Sequence, residues 1–141
     1  MRISILFPVI ILVGGLVAGC CKAYCPKETM ELGFIGFKNT DIDTLLITRY
    51  KGRTSFNMKI DSFYTGMWAP QMDTLFYSIS EKISLADDYL ISGPAFPDTY
   101  HISDIKTSSV RCECGGQQVK QVSQFVLNEA RFSDEVVYLR K

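Results

Sequence analysis

The side chains in this chain best equipped for chemistry are thiols. Five cysteines among 141 residues is a high count, and they fall in two groups, Cys20, Cys21 and Cys25 near the start and Cys112 and Cys114 near the end. If Cys20 belongs to the segment that ends on it, four thiols remain. In an oxidising compartment pairing is the first expectation. On a strand, Cys112 and Cys114 point to one face, with Cα atoms about 6.5 Å apart. That is near the limit for a bridge, and their side chains run side by side. A disulfide from Cys25 to Cys112 or Cys114 is the more natural expectation. A loop of that length contributes roughly 4 kcal/mol in the chain-entropy account. The alternative is a soft metal ion, Cu(I) or Zn(II), held by Cys112 and Cys114 with Cys25 or Cys21. Against it, the usual spacing of two intervening residues is absent. A thiol redox enzyme is also an awkward fit, since its Cys-x-x-Cys at the start of a helix is missing.

Other chemistry has weaker support. The one histidine, His101, lies in Thr99-Tyr100-His101-Ile102-Ser103-Asp104. Tyr100 and Ile102 form the apolar face, so His101 is expected to face solvent. Catalysis by His101 needs an acid or nucleophile brought to it in space. No serine has the glycine pattern of a nucleophile elbow. The acid pairs Asp41/Asp43 and Asp87/Asp88 do not meet calcium-loop spacing. No catalytic residue, metal site or cofactor is therefore expected.

Aromatic residues offer binding rather than reaction. They make up 12% of the chain, and two loop-like stretches concentrate them, Phe63 to Met72 and Pro94-Ala95-Phe96-Pro97. Tyr64, Trp68 and Phe96 form the expected binding patch for a peptide, glycan or protein, unless these loops fold back to cap the core.

The N-terminus reads as an address. One positive charge, Arg2, precedes the apolar run Ile3 to Val13, and small residues follow, which is the plan of a secretory signal. Its last residues, Val17-Ala18-Gly19-Cys20, resemble the lipobox of bacterial lipoproteins. The resemblance covers the first 20 residues. It implies that Cys20 carries a diacylglycerol, that a dedicated peptidase cuts before it, and that the partner of this end is membrane lipid. In enteric-type bacteria an Asp directly after that cysteine marks inner-membrane retention. Cys21 stands there instead, which points to the outer membrane. The shifted frame Ala18-Gly19-Cys20-Cys21 fits less well, because it puts Cys20 where a small residue is wanted. The competing reading is an uncleaved anchor. Ile3 to Gly19 is only just long enough to span a bilayer, and Pro8 with three glycines makes a poor helix.

The elements behind this segment follow from the rest of the chain. Residues 1–19 are expected as signal, 20–29 as a lipidated tether, and 30–141 as one domain. Composition is that of a globular protein, 47% hydrophobic and 21% charged, with 15 basic against 15 acidic residues. No basic stripe is present, which argues against nucleic acid. Period-2 alternation dominates, most clearly in Phe56-Asn57-Met58-Lys59-Ile60-Asp61, where Phe56, Met58 and Ile60 are expected to face the core. Further strands are expected over 32–38, 43–51, 74–80, 88–92, 100–105, 109–114, 121–127 and 135–140. Asn128-Glu129 is expected as a turn and 81–87 as one short helical turn. Residues 119–130 also carry helical spacing at Val119, Val122, Val126 and Ala130, with strand preferred because Phe125 and Leu127 alternate with polar neighbours. Eight or nine short strands with almost no helix predict an all-β antiparallel sandwich, or else an open barrel. The strand start Asp41-Ile42-Asp43-Thr44 and the aromatic-rich final stretch Phe125 to Leu139 resemble small uncharacterised envelope lipoproteins. That resemblance implies the sandwich and no activity.

Three functions remain open on sequence: a non-enzymatic binding or scaffolding lipoprotein, a metal or redox accessory protein using Cys25, Cys112 and Cys114, and an envelope hydrolase using His101. The first is expected.

Overall fold

Alternation of apolar and polar residues, cut by turn-forming loops, sets nine strands in the computed structural model, which describes residues 27–66, 72–79, 83–111 and 117–141. They are β1 (Glu28–Ile35), β2 (Leu45–Tyr50), β3 (Lys59–Thr65), β4 (Thr74–Ile79), β5 (Asp88–Ser92), β6 (Tyr100–Arg111), β7 (Gln118–Leu127), β8 (Ala130–Phe132) and β9 (Val136–Arg140). A 3-10 turn, Asn39–Asp41, follows β1. Among the described residues no helix is long and apolar enough to cross a membrane. The cysteines and Trp68 lie outside the described residues, as do the expected signal and residues 20–26 of the expected tether, whose last residues enter β1.

The fold is all-β and sandwich-like. The larger sheet runs β3-β2-β5-β6-β7, with β8 added to the end of β7. The smaller runs β4-β1-β9. β1 joins the two. Glu28 and Thr29 pair with Lys120 and Gln121 of β7, and from Met30 onward the strand pairs with β4 on one side, from Glu31 with β9 on the other. It thus turns the corner from one layer to the next, as corner strands do in sandwiches. β3 and β4 end the path, and between them the Thr65 and Tyr77 hydroxyls share a hydrogen bond. No strand ladder joins them, so the sheet is not closed into a barrel.

Two pairings, β1 with β7 and β1 with β9, are parallel, where antiparallel neighbours alone were expected. The cause is local. A two-residue turn at Asn128-Glu129 reverses β7 into β8, and Ser133–Glu135 reverses the chain again while carrying it to the other layer. β9 therefore arrives running with β1. Both turn residues have positive φ, 46° and 73°, the geometry of a hairpin turn that matches strand twist. The Asn128 Oδ1 accepts the His101 N–H at 2.8 Å, and the Asn128 N–H donates to the His101 carbonyl.

The core lies between the layers. Met30, Leu32 and Phe34 of β1 meet Ile47, Tyr89, Ile91, Ile102, Val122 and Phe125 of the larger sheet and Val137 and Leu139 of β9, all essentially without solvent contact. Each such side chain contributes about 1.5–3 kcal/mol on burial.

Three local expectations are corrected. The Phe56, Met58, Ile60 face does not enter the core: Met58 and Ile60 are exposed, and β3 turns Asp61, Phe63 and Thr65 inward. The cause is the turn before it, where Arg53, Ser55 and Phe56 all have positive φ and break the alternation. Residues 100–105 and 109–111 belong to one strand, β6, which carries a bulge after Ser103 with Asp104 at φ 49°. Within 81–87 the described part is a turn at Leu85-Ala86, not a helical one. Residues 118–127 are strand, not helix.

β7 and β9 run with β1, β6 and β4 against it. The start of β1, the end of β6 and the starts of β5 and β7 therefore share one end of the sandwich. Phe37, Phe96 and Asn128 lie toward the other.

Candidate functional site

The expected patch is not assembled as one surface. Tyr64 stands on the outer face of edge strand β3, 73% exposed. Phe96 turns inward and is half-buried: its ring centre lies 4.8 Å from Phe37, 5.6 Å from Tyr100 and 6.2 Å from Phe34. A 3.1 Å bond from its N–H to the Gly93 carbonyl holds that loop closed. Phe96 thus caps the core. The third member, Trp68, lies outside the described residues, as do Cys20, Cys25, Cys112 and Cys114.

A more continuous site lies where the layers part. β8 edges the larger sheet and β9 the smaller, and between them runs a groove of about 480 Å³. Tyr100, Phe125, Leu127 and Phe132 line one side, and Val136 and Tyr138 the other, with Asp134 and Arg140 as the charged residues. Phe125 and Phe132 stack, centres 5.5 Å apart and planes 19° apart, which holds Phe132 in place although it is 44% exposed. Tyr138 packs edge-on against Phe76 at 6.3 Å.

Along the groove one edge of β9 meets no other strand among the described residues. β9 pairs with β1 alone among the described strands. Backbone groups of successive strand residues point to opposite edges. The Lys141 N–H donates to the Ile35 carbonyl, so odd-numbered residues face β1. Even-numbered Val136, Tyr138 and Arg140 face the groove. The two ends are satisfied from within: the Asp134 carboxylate accepts the Val136 N–H at 3.2 Å, and the Tyr100 hydroxyl donates to the Arg140 carbonyl. Burial, and secondarily Asp98, raises the Tyr100 pKa, which keeps that donor protonated. Tyr138 between them presents its N–H and C=O to the groove.

The second concavity, about 450 Å³, is polar and sits by the start of β1, lined among others by Glu28, Arg53, Asp88, Asp104, Lys106 and Lys120. Asp88, 4% exposed, accepts the Arg53 N–H at 3.1 Å and also the Asp104 N–H. Those two residues have positive φ, so one buried carboxylate pins both left-handed turns. Burial raises its pKa, and the two backbone bonds oppose the rise.

His101 is exposed, its ring 5.1 Å from Phe56. The nearby acid Asp104 is bound to Arg131 at 2.9 Å. Among the described residues no three metal-binding side chains converge.

No family model, curated protein or solved structure matches the chain. The reading of the site therefore rests on its geometry. Phe132 and Tyr138 were not singled out in sequence as site residues. Their signal was the aromatic-rich final stretch, which carries no information on which strand β9 would join.

Proposed function

We propose that this chain is a lipid-anchored envelope protein, without enzymatic activity, that binds an extended polypeptide by strand addition to β9. The anchor reading rests on Val17-Ala18-Gly19-Cys20, with the domain held at a membrane, the outer one by the residue after Cys20. The binding reading rests on one observation, the open backbone of Tyr138 at the floor of an aromatic groove. Exposed strand edges are normally blunted by charge, proline or a covering element, because they recruit other strands. Along β9 the groove is lined instead by apolar rings, while Asp134 and Arg140 offer opposite charges to orient a segment. Backbone pairing gives such a complex its affinity and alternate side chains its specificity.

A photoreactive phenylalanine at position 132, with the same probe at Ile60 as control, tests this in the intact envelope. The expected result is a discrete peptide adduct at 132 and none at 60, lost when Tyr138 is replaced by Pro in a variant that keeps its fold by circular dichroism. Equal labelling at both positions, or none at 132, overturns the groove.

A further inference from the structure

At the start of β1 the sandwich carries three cations that make no ion pair among the described residues. Of the charged groups that line the cleft there, the three acids are all engaged: Glu28 accepts the Leu85 N–H at 2.8 Å, Asp88 accepts the N–H groups of Arg53 and Asp104, and Asp104 holds Arg131 at 2.9 Å. The three cations, Arg53, Lys106 and Lys120, are exposed and make no ion pair among the described residues. Thr107 also lines the cleft. Lys27 adjoins it, its carbonyl accepting the Lys120 N–H at 2.9 Å.

This end is also where the chain leaves the fold toward Cys20. Cys20 stands seven positions before Lys27, a reach of about 25 Å when fully extended. A domain tethered so closely at this end keeps the cleft near the bilayer. Lysine is a point-charge ligand for phosphate, and arginine a forked one. The negative surface potential of a membrane strengthens binding about fivefold for each such cation near it.

We propose that this cleft binds the phosphate of an anionic phospholipid headgroup, docking the domain base-down on its own membrane and turning the aromatic Phe37/Phe96 end away from it. The proposal rests on the lipid-anchor reading above.

The test uses the full chain purified from membranes and placed in nanodiscs of phosphatidylcholine, with or without phosphatidylglycerol. The rate of amine acetylation is read by mass spectrometry at Lys106, Lys120 and, as a control from the far end, Lys38. Phosphatidylglycerol is expected to slow labelling of Lys106 and Lys120 about fivefold and to leave Lys38 unchanged. The doubly substituted K106Q/K120Q chain should bind phosphatidylglycerol vesicles more weakly, by about the product of the two effects. Equal labelling on both discs overturns the proposal. Protection by inorganic phosphate on neutral discs, as strong as that by phosphatidylglycerol, overturns the headgroup assignment in favour of a free anion. Intact mass of the same sample reports acylation of Cys20, so failure of the anchor reading shows there and failure of the docking shows in the labelling.

Discussion

One edge of the Tyr138 ring occupies the space where a side chain on Gly33 would stand. A Cβ on residue 33 would fall 2.6 Å from the Tyr138 Cδ1 and 2.8 Å from its Cε1. The two residues are register partners in the parallel pair β1–β9, so the missing side chain at Gly33 is the seat of the tyrosine that borders the groove.

Gly33→Ala therefore destabilises the protein by about 1–3 kcal/mol, since overpacking forces the ring or the strand to shift. Thermal unfolding should report it as a fall in Tm of roughly 5–10 °C. The double variant with Tyr138→Ala should lose less than the sum of the single losses, because Tyr138→Ala takes away the ring that the added Cβ at position 33 would meet. Strict additivity would contradict the packing described.

Asp88 is the buried acid that pins two turns. Asp88→Ala leaves the Arg53 and Asp104 N–H groups unbonded and should cost about 3 kcal/mol in urea unfolding. The pH dependence has a definite sign. Burial raises the carboxyl above its ordinary 3.8, so the folded state binds the proton more tightly than the unfolded one. This group's contribution is full below 3.8 and is lost as pH rises through the raised value. Asp88→Asn should gain on the natural protein over that interval, and a constant difference would contradict the assignment.

Asp41 behaves in the opposite way. Its carboxylate accepts the Lys141 ammonium at 2.6 Å and the Lys38 N–H at 2.9 Å. The Lys141 bond first, then that from Lys38, holds its pKa below 3.8. The stability it adds is present above 3.8 and is lost as pH falls through the lowered value. Asp41→Asn should be less stable than the natural protein near neutrality, with the gap closing in acid. Denaturant midpoints at a series of pH values check this.

Glu129 sits at φ 73° on an exposed turn, a conformation that costs an L-residue roughly 1–2 kcal/mol. Glu129→Gly converts the turn to Asn-Gly, the favoured pair for this hairpin. Stability should rise by about 0.5–1 kcal/mol, since glycine gives back part of the gain in chain entropy. A loss would mean that the Glu129 side chain has a role the turn geometry does not show.

Much of the fold was legible because alternation and loop signals are local. Asp88–Ser92 was found to the residue, bounded by the loop of Gly93, Pro94 and Pro97, and the Asn128-Glu129 turn was read from residue type. Other features depend on distant partners. The β3 face was inverted because three left-handed residues precede it, and Asp61 faces inward to meet Arg49, their ion pair 2.8 Å long. Gly33, which offers its strand no side chain to pack, seats a ring from more than a hundred residues on. The groove was hidden for the same reason. Phe125 and Phe132 are close in sequence, but nothing local states that β9 joins β1 in parallel and leaves its other edge open. The cation cleft likewise needs five separate segments brought together, and no run of basic residues announces it.

The central claim is a folded β-domain held to a membrane through a lipid on Cys20. Intact mass of the mature protein extracted from membranes, with and without reduction and thiol alkylation, tests it most directly. The account predicts loss of residues 1–19, acyl mass on Cys20, and four thiols that alkylate only after reduction. A chain that keeps its first 19 residues would contradict the lipid anchor, and thiols that alkylate without reduction would contradict the disulfide expected between Cys25 and Cys112 or Cys114.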